Sequence, residues 1–272
     1  LYDREVALSI TSAGVECIKE TKRYFSEETE GEVIYGDTDS NYVQWPQEWD
    51  RDRVLEEAIA ACDTLNDKVY PEFGTEFGVP PWLNRWEIEA ESYAETYFQH
   101  GKKKRYAMHI TWEEGKDVDK KKVTGYKRSD VCEVTAELID KTLENIVHGL
   151  DEAEVTGYLM DAAAEIQPEG ADLERLGKPG GMGKHIGDGT QDGDDYYSWT
   201  NGTPKGPHPR GAYFSNELYD TDFGKDSKPK RIWVKPFPAE IDGEVVEVDA
   251  LCFDTPDDLG EEPVLDVQRM EE

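Results

Sequence analysis

Residues Glu32-Val33-Ile34-Tyr35-Gly36-Asp37-Thr38-Asp39-Ser40-Asn41-Tyr42-Val43 decide how the rest of the chain is read. β-forming residues flank a cluster of turn residues, so the segment from Glu32 to Trp45 predicts strand, tight turn, strand. Two carboxylates one residue apart on such a turn project toward the same side, where they can attract a hard cation such as Mg2+. Asp-Thr-Asp alone is also ordinary turn chemistry, because Asp and Thr bond their own backbone in turns. A two-ion phosphoryl-transfer site holds its ions about 3.5 to 4 Å apart and bridges them with acids, so one strand cannot supply the whole cage.

Working outward, Val6, Ile10, Val15 and Ile18 predict a helix from Leu1 to about Phe25, with a start that reads as cut off. That start suggests a fragment or one part of a divided protein. Val54, Leu55, Ala58, Ala61, Leu65 and Val69 share one face of a helix from Arg51 to about Glu72, which Pro71 is expected to terminate. Strand-like sequence runs from Trp86 to His109, and a basic hairpin or loop follows. Asp130 with Glu133 resembles a capping box, and Val134, Leu138, Ile139, Leu143, Ile146 and Val147 give the helical stripe after it. A second helix is expected from about Asp151 to Ile166. Residues 177–211 are rich in Gly, Pro and Asp and read as loop. Short strands at Arg231 to Lys235 and Val245 to Leu251 alternate with acidic loops, and the last ten or so residues read as a disordered tail.

The 272 residues carry 61 Asp+Glu against 30 Lys+Arg, a formal charge of -31, which by itself argues against a polyanionic partner. The charge is not uniform. Between Lys102 and Arg128, ten basic residues face four acidic ones. An acidic surface that spares one basic segment is expected of a protein kept soluble in concentrated salt, and a halophilic source follows. Cys17, Cys62, Cys132 and Cys252 are scattered, with no C-x-x-C and no histidine at ligand spacing, which indicates neither zinc nor a disulfide framework and fits a reducing cytoplasm. No apolar run of about 18 residues is present to span a membrane.

The full hexapeptide Tyr35-Gly36-Asp37-Thr38-Asp39-Ser40 resembles motif C of family B DNA polymerases. Glu5 to Gly14 looks like the helix that links motif B to motif C in that family, Lys103-Lys104-Arg105-Tyr106-Ala107 looks like its KKRYA motif, and Gly125 to Asp130 looks like the turn that leads into its thumb. The features keep the family's order over roughly Leu1 to Val147. Pro207 to Asn216 resembles more loosely a thumb segment of archaeal and viral members.

The resemblance implies an α+β fold: the end of a fingers helix over 1–25, the C-terminal part of the palm over 26–128 with its antiparallel sheet and motif C hairpin, and a mainly helical thumb over 129–272. It implies a DNA-directed polymerase that adds deoxynucleotides to a primer 3'-hydroxyl with two Mg2+ ions, with primer-template DNA and dNTP as partners. Asp37 and Asp39 are then the catalytic pair, with Asp39 the metal ligand and Asp37 supporting the turn and its field. Tyr35, Gly36, Thr38 and Ser40 shape the hairpin. Lys103, Lys104, Arg105, Tyr106 and Arg128 are expected at the DNA, without reading sequence, and His208 with Arg210 could touch a phosphate. The motif A aspartate and the motif B nucleotide-binding residues are absent from these 272 residues. An upstream polymerase half, or the rest of the same polypeptide, is therefore an expected partner. A non-catalytic DNA-binding remnant of palm and thumb is the other reading. Lys116 to Lys122 read as a solvated charge run paired with nearby acids, and Gly177 to Lys184 as thumb loop, since it misses the phosphate-loop spacing and has His185 in place of Ser or Thr.

Overall fold

The computed structural model describes residues 3–126, 129–165, 172–191, 193–260 and 263–270. The chain divides into two units, Leu1–Lys122 and Val123–Glu272. Both mix helices with antiparallel pairs of strands.

The first unit opens with α1 (Arg4–Glu28), whose N-cap Asp3 accepts the N–H groups of Glu5 and Val6. Its C-terminal half buries Thr21 and Phe25, while Val6, Leu8, Ile10 and Val15 remain exposed. The hairpin of β1 (Glu32–Asp37) and β2 (Ser40–Gln44) follows, in a register that sets Tyr35 opposite Tyr42 and Asp37 opposite Ser40. α2 (Arg51–Thr64), N-capped by Asp50, runs through a π-turn at Leu65–Val69 into α3 (Tyr70–Glu76). Phe25, Ala61, Leu65 and Tyr70 form the core between these elements. Tyr70 shares a buried 2.6 Å hydrogen bond with Thr21.

Pro71 does not end this helix, as the sequence suggested. The helix widens first: Tyr70 N–H bonds Leu65 O in the π-turn, and Pro71 enters at the first turn of α3, where a missing N–H costs little. β3 (Ser92–Gln99), β4 (Tyr106–Glu113) and β5 (Lys116–Thr124) form a three-stranded sheet in that order. Lys116, Lys120, Lys121 and Lys122 thus lie on a strand, and Lys102 to Arg105 lie on the turn between β3 and β4.

In the second unit, α4 (Glu133–Val147) is N-capped by Cys132 and not by Asp130. The capping box appears one helix later: before α5 (Glu152–Glu165), Glu154 N–H bonds Asp151 Oδ1 and Asp151 N–H bonds Glu154 Oε2, both at 2.9 Å. After α6 (Leu173–Leu176) come the short strands β6 (Lys178–Pro179), β7 (Trp199–Thr200) and β8 (Thr203–Pro204). The loop reading of 177–211 overshoots, because α7 (Pro207–Tyr219) starts with a proline at N1.

α7 packs on the long hairpin of β9 (Lys230–Ile241) and β10 (Glu244–Phe253). Gly211 permits this close approach, since a Cβ there would lie 3.2 Å from Cys252 Sγ and 3.3 Å from the Leu251 carbonyl carbon. Phe214, Val234, Val248, Leu251 and Phe253 make the core. Helix therefore dominates the start of this unit, whereas a β-hairpin longer than the expected strands organises the remainder. Leu265 is 1% exposed and bridges Val234, and α8 (Val267–Met270) follows, so these residues of the expected disordered tail are ordered. Leu1, Ile166 and the domain boundary expected near Arg128 lie outside the described residues.

Candidate polymerase site

The β1–β2 tip is tight because Asp37 pairs directly with Ser40, leaving Thr38 and Asp39 as the loop. Thr38 has φ 43°, a left-handed conformation that a β-branched residue rarely adopts, so the tip stores backbone strain. Its hydroxyl donates to Asp37 Oδ1, and Ser40 Oγ donates to the Asp37 carbonyl, both at 3.2 Å. These bonds hold the Asp37 side of the tip, while the Asp39 side chain is exposed. Gly36 sits opposite Asn41, and a Cβ there would meet only ordinary contacts at 3.5 Å.

Strand alternation puts Val33, Tyr35 and Asp37 on the inner face of β1. There the basic turn meets the acidic tip. Lys104 Nζ lies 3.2 Å from Asp37 Oδ1, and the Lys104 backbone N–H donates to the Tyr35 hydroxyl at 3.1 Å across 69 residues of sequence. Lys104 itself has φ 62°, so the turn is bent to make this contact. Two motifs read separately from sequence are one structure.

Tyr35, Tyr42, Tyr97 and Tyr106 cluster beneath, with ring centroids 5.3 to 6.5 Å apart. Tyr42 donates to Tyr106 at 2.8 Å. Burial, and then the bond to Tyr106, pushes the Tyr42 phenol well above its usual range. Tyr106 is 7% exposed and supports the turn from inside. Where β4 begins, Arg105 remains half-buried while Lys102, Lys103 and Lys104 stay in solvent.

An open cleft of about 1090 Å³ borders the tip, with Asp37, Asp39, Asn41, Glu89 and Glu91 among its walls. Carboxylates and Lys122 line the cleft and Lys104 meets the wall residue Asp37, so the acids make the cleft a place that suits cations. Asn41 Nδ2 is buried with no hydrogen-bond partner, a donor that the sequence reading missed and that only the pairing with Gly36 reveals.

Asp37 and Asp39 offer the oxygen donors that Mg2+ prefers. Asp37 is engaged by Lys104, however, and among the described residues no group of three or more His, Cys, Asp or Glu could hold a metal ion. These residues form one side of a cage and no more.

The remaining expected DNA contacts belong to the second unit. His208 Nε2 bonds the Pro229 carbonyl at 2.9 Å, and burial lowers its pKa. Arg210 makes a two-pronged contact with Asp249 at 2.9 and 2.8 Å. His208 Nε2 and the Nε and Nη2 of Arg210 are thereby engaged within the second unit. Arg128 lies outside the described residues.

A model described as DNA polymerase family B matches residues 1–176. The chain belongs to the family B DNA polymerases. Among solved structures this polymerase chain is similar to the family B DNA polymerase from the hyperthermophilic archaeon Pyrobaculum calidifontis, with 20% identity and a TM-score of 0.62. The match covers 100% of this chain and 29% of that one. At such identity the likeness speaks for the fold alone. Comparison with curated proteins gave no match. Among the described residues, no helix of this family member is long and apolar enough to cross a membrane.

Proposed function

We propose that the chain is the C-terminal catalytic part of a DNA-directed DNA polymerase, with a fingers-helix end and palm in the first unit and a thumb in the second. The observation that carries this reading is the contact of Lys104 with both Tyr35 and Asp37, because it joins the family's acidic hairpin to its basic turn. Asp39, exposed at the tip, is the residue that would ligate Mg2+, and the ions when bound would neutralise charge developing on the transferred phosphoryl group. Asp37, fixed by Thr38, Ser40 and Lys104, holds the tip and its field. Lys102, Lys103 and Arg105, with no acid fixed to them among the described ion pairs, take the primer-template phosphates, and Lys104 bridges the two groups.

The missing carboxylate and the dNTP site come from an upstream polymerase part. The exposed Val6 and Ile10 on one face of α1, with Leu8 and Val15 on the opposite face, support this, since that much apolar surface on one helix is ordinarily covered. The absence of a three-ligand group among the described residues favours a second reading, a DNA-binding remnant without chemistry.

The DNA assignment is tested by binding of the chain to a primed duplex over a salt series. Lys103→Ala/Lys104→Ala/Arg105→Ala is expected to weaken binding and to flatten the salt dependence by about 0.9 in log–log slope for each phosphate that is no longer neutralised. Binding equal to the parent at every salt concentration would refute the assignment. Cytoplasmic location and a halophilic source accompany the reading, the latter supported by the net charge of -31.

A further inference from the structure

The second unit pins the start of the segment 180–206 to the approach of β9. β6 contributes only two residues to the sheet, with Lys178 opposite Arg231 and Pro179 opposite Lys230. The Gly180 N–H donates to the Pro229 carbonyl at 3.2 Å, the Met182 N–H to the Ser227 carbonyl at 2.9 Å, and the Asp226 N–H to the Met182 carbonyl at 2.7 Å. Met182 then joins Ile186, Ala212, Phe223 and Cys252 in a small core.

His208, in the first turn of α7, closes this attachment. Its Nε2 lies 2.9 Å from the same Pro229 carbonyl, which can only accept, so the neutral ring carries its proton on Nε2. The ring lies so close to Gly180 that a Cβ there would come within 2.5 to 2.8 Å of Cε1, Nε2 and Nδ1, and only glycine admits this approach. Burial lowers the pKa of the ring, the bond to the Pro229 carbonyl opposes that, Arg231 from β9 and Lys178 from β6 add to the lowering, and the Gly180 backbone opposes it. From β10, the Cys252 thiol lies 3.5 Å from the His208 carbonyl, and burial pushes it far up, so it stays neutral. The carboxylates nearby are taken, Asp249 by Arg210 and Arg269, and Glu174 by Lys230.

We propose that His208 is an acid-sensitive latch for the segment 180–206. A proton taken up at Nδ1 sets a third positive charge beside Lys178 and Arg231, and the two-residue strand β6 has few ladder bonds with which to resist. The segment then leaves β9 and the core around Met182 opens, while the β9–β10 hairpin stays in place. A ring whose pKa is lowered by folding contributes stability that is present above the ordinary imidazole value of about 6.5 and is lost as pH falls through the lowered folded value. The loss is local, because the ring touches the segment and not the hairpin's far strand. This latch belongs to the second unit and does not depend on the role given to the acidic hairpin.

The test is hydrogen exchange of the full chain read by mass spectrometry, as protection factors corrected for intrinsic rates, at about pH 7.5 and about pH 5 with salt held constant. Peptides from 180–206 are expected to lose protection about tenfold at the lower pH, and peptides from β10 to keep theirs. His208→Gln retains a neutral donor for the Pro229 carbonyl and is expected to remove the pH dependence of the segment. Lys178→Gln, at an exposed residue, is expected to shrink it, and this variant decides the question should His208→Gln fail to fold. Asp188, Asp194 and Asp195 of the segment are common to parent and variants, so the difference between the chains reports the imidazole. Equal protection of the segment at both pH values, a loss shared equally by β10, or a loss as large in the folded variants as in the parent would overturn the proposal.

Discussion

Asp37 and Asp249 are both aspartates facing arginine or lysine, yet their surroundings differ in a way that separates chemistry from architecture. Asp37 meets one lysine whose side chain is 65% exposed, at the end of a strained two-residue loop. Asp249 is 18% exposed and joins α7 and α8 to the bulge of β10 through two arginines. An exposed pair contributes little to stability, about 0 to 1 kcal/mol, and can rearrange when a ligand arrives. A part-buried carboxylate with three charge-assisted bonds holds elements in place. The first region is expected to fail in function when altered, and the second in folding.

Lowering the salt concentration challenges both regions at once and should have the largest effect. With a formal charge of -31, self-repulsion rises as screening falls, so dialysis from molar salt into dilute buffer is expected to unfold the chain. Circular dichroism that stays native in dilute buffer would remove the halophilic reading. Next in size, Asp249→Ala leaves Arg210, Arg231 and Arg269 mutually repelling, and should cost about 2 to 3 kcal/mol in urea unfolding. A loss as small as that of Asp37→Ala would erase the contrast between the two aspartates. Thr38→Gly should go the other way. Relieving φ 43° at a β-branched residue is expected to stabilise the chain by about 1 kcal/mol, while loosening the tip that presents Asp39. No gain in stability would mean that the loop is relaxed as it stands.

Local spelling explains what the sequence disclosed and what it hid. The hairpin was legible because its strands, turn and register are encoded within a dozen consecutive residues, Glu32 to Val43. Asp130-x-x-Glu133 and Asp151-x-x-Glu154 have the same capping spelling, and only the second forms the box, because Cys132 and not Asp130 sits at the start of α4. Pro71 misled because a π-turn made room for it. The bond from Lys104 to Tyr35 spans 69 residues, so no periodicity announces it. The cluster of Arg210, Arg231, Asp249 and Arg269 was harder still, since its members come from four separate elements. Tyr106 reads as part of a basic motif, and its packing against Tyr35, Tyr42 and Tyr97 was likewise not announced by the sequence.

The most direct test of the central claim is single-turnover primer extension by the chain reconstituted with an upstream polymerase half, at saturating DNA and with Mg2+ present. The chain alone should incorporate no nucleotide. With the upstream half, Asp39→Ala should abolish extension, a loss of several orders of magnitude corresponding to several kcal/mol of charge stabilisation, while DNA binding persists. Asp37→Ala and Lys104→Ala should each be milder, and together they should cost less than the sum of their separate effects, because they remove the same ion pair. Extension by Asp39→Ala near the parental rate would contradict the account, and a greater loss from Asp37→Ala than from Asp39→Ala would show that the two aspartates have each other's roles.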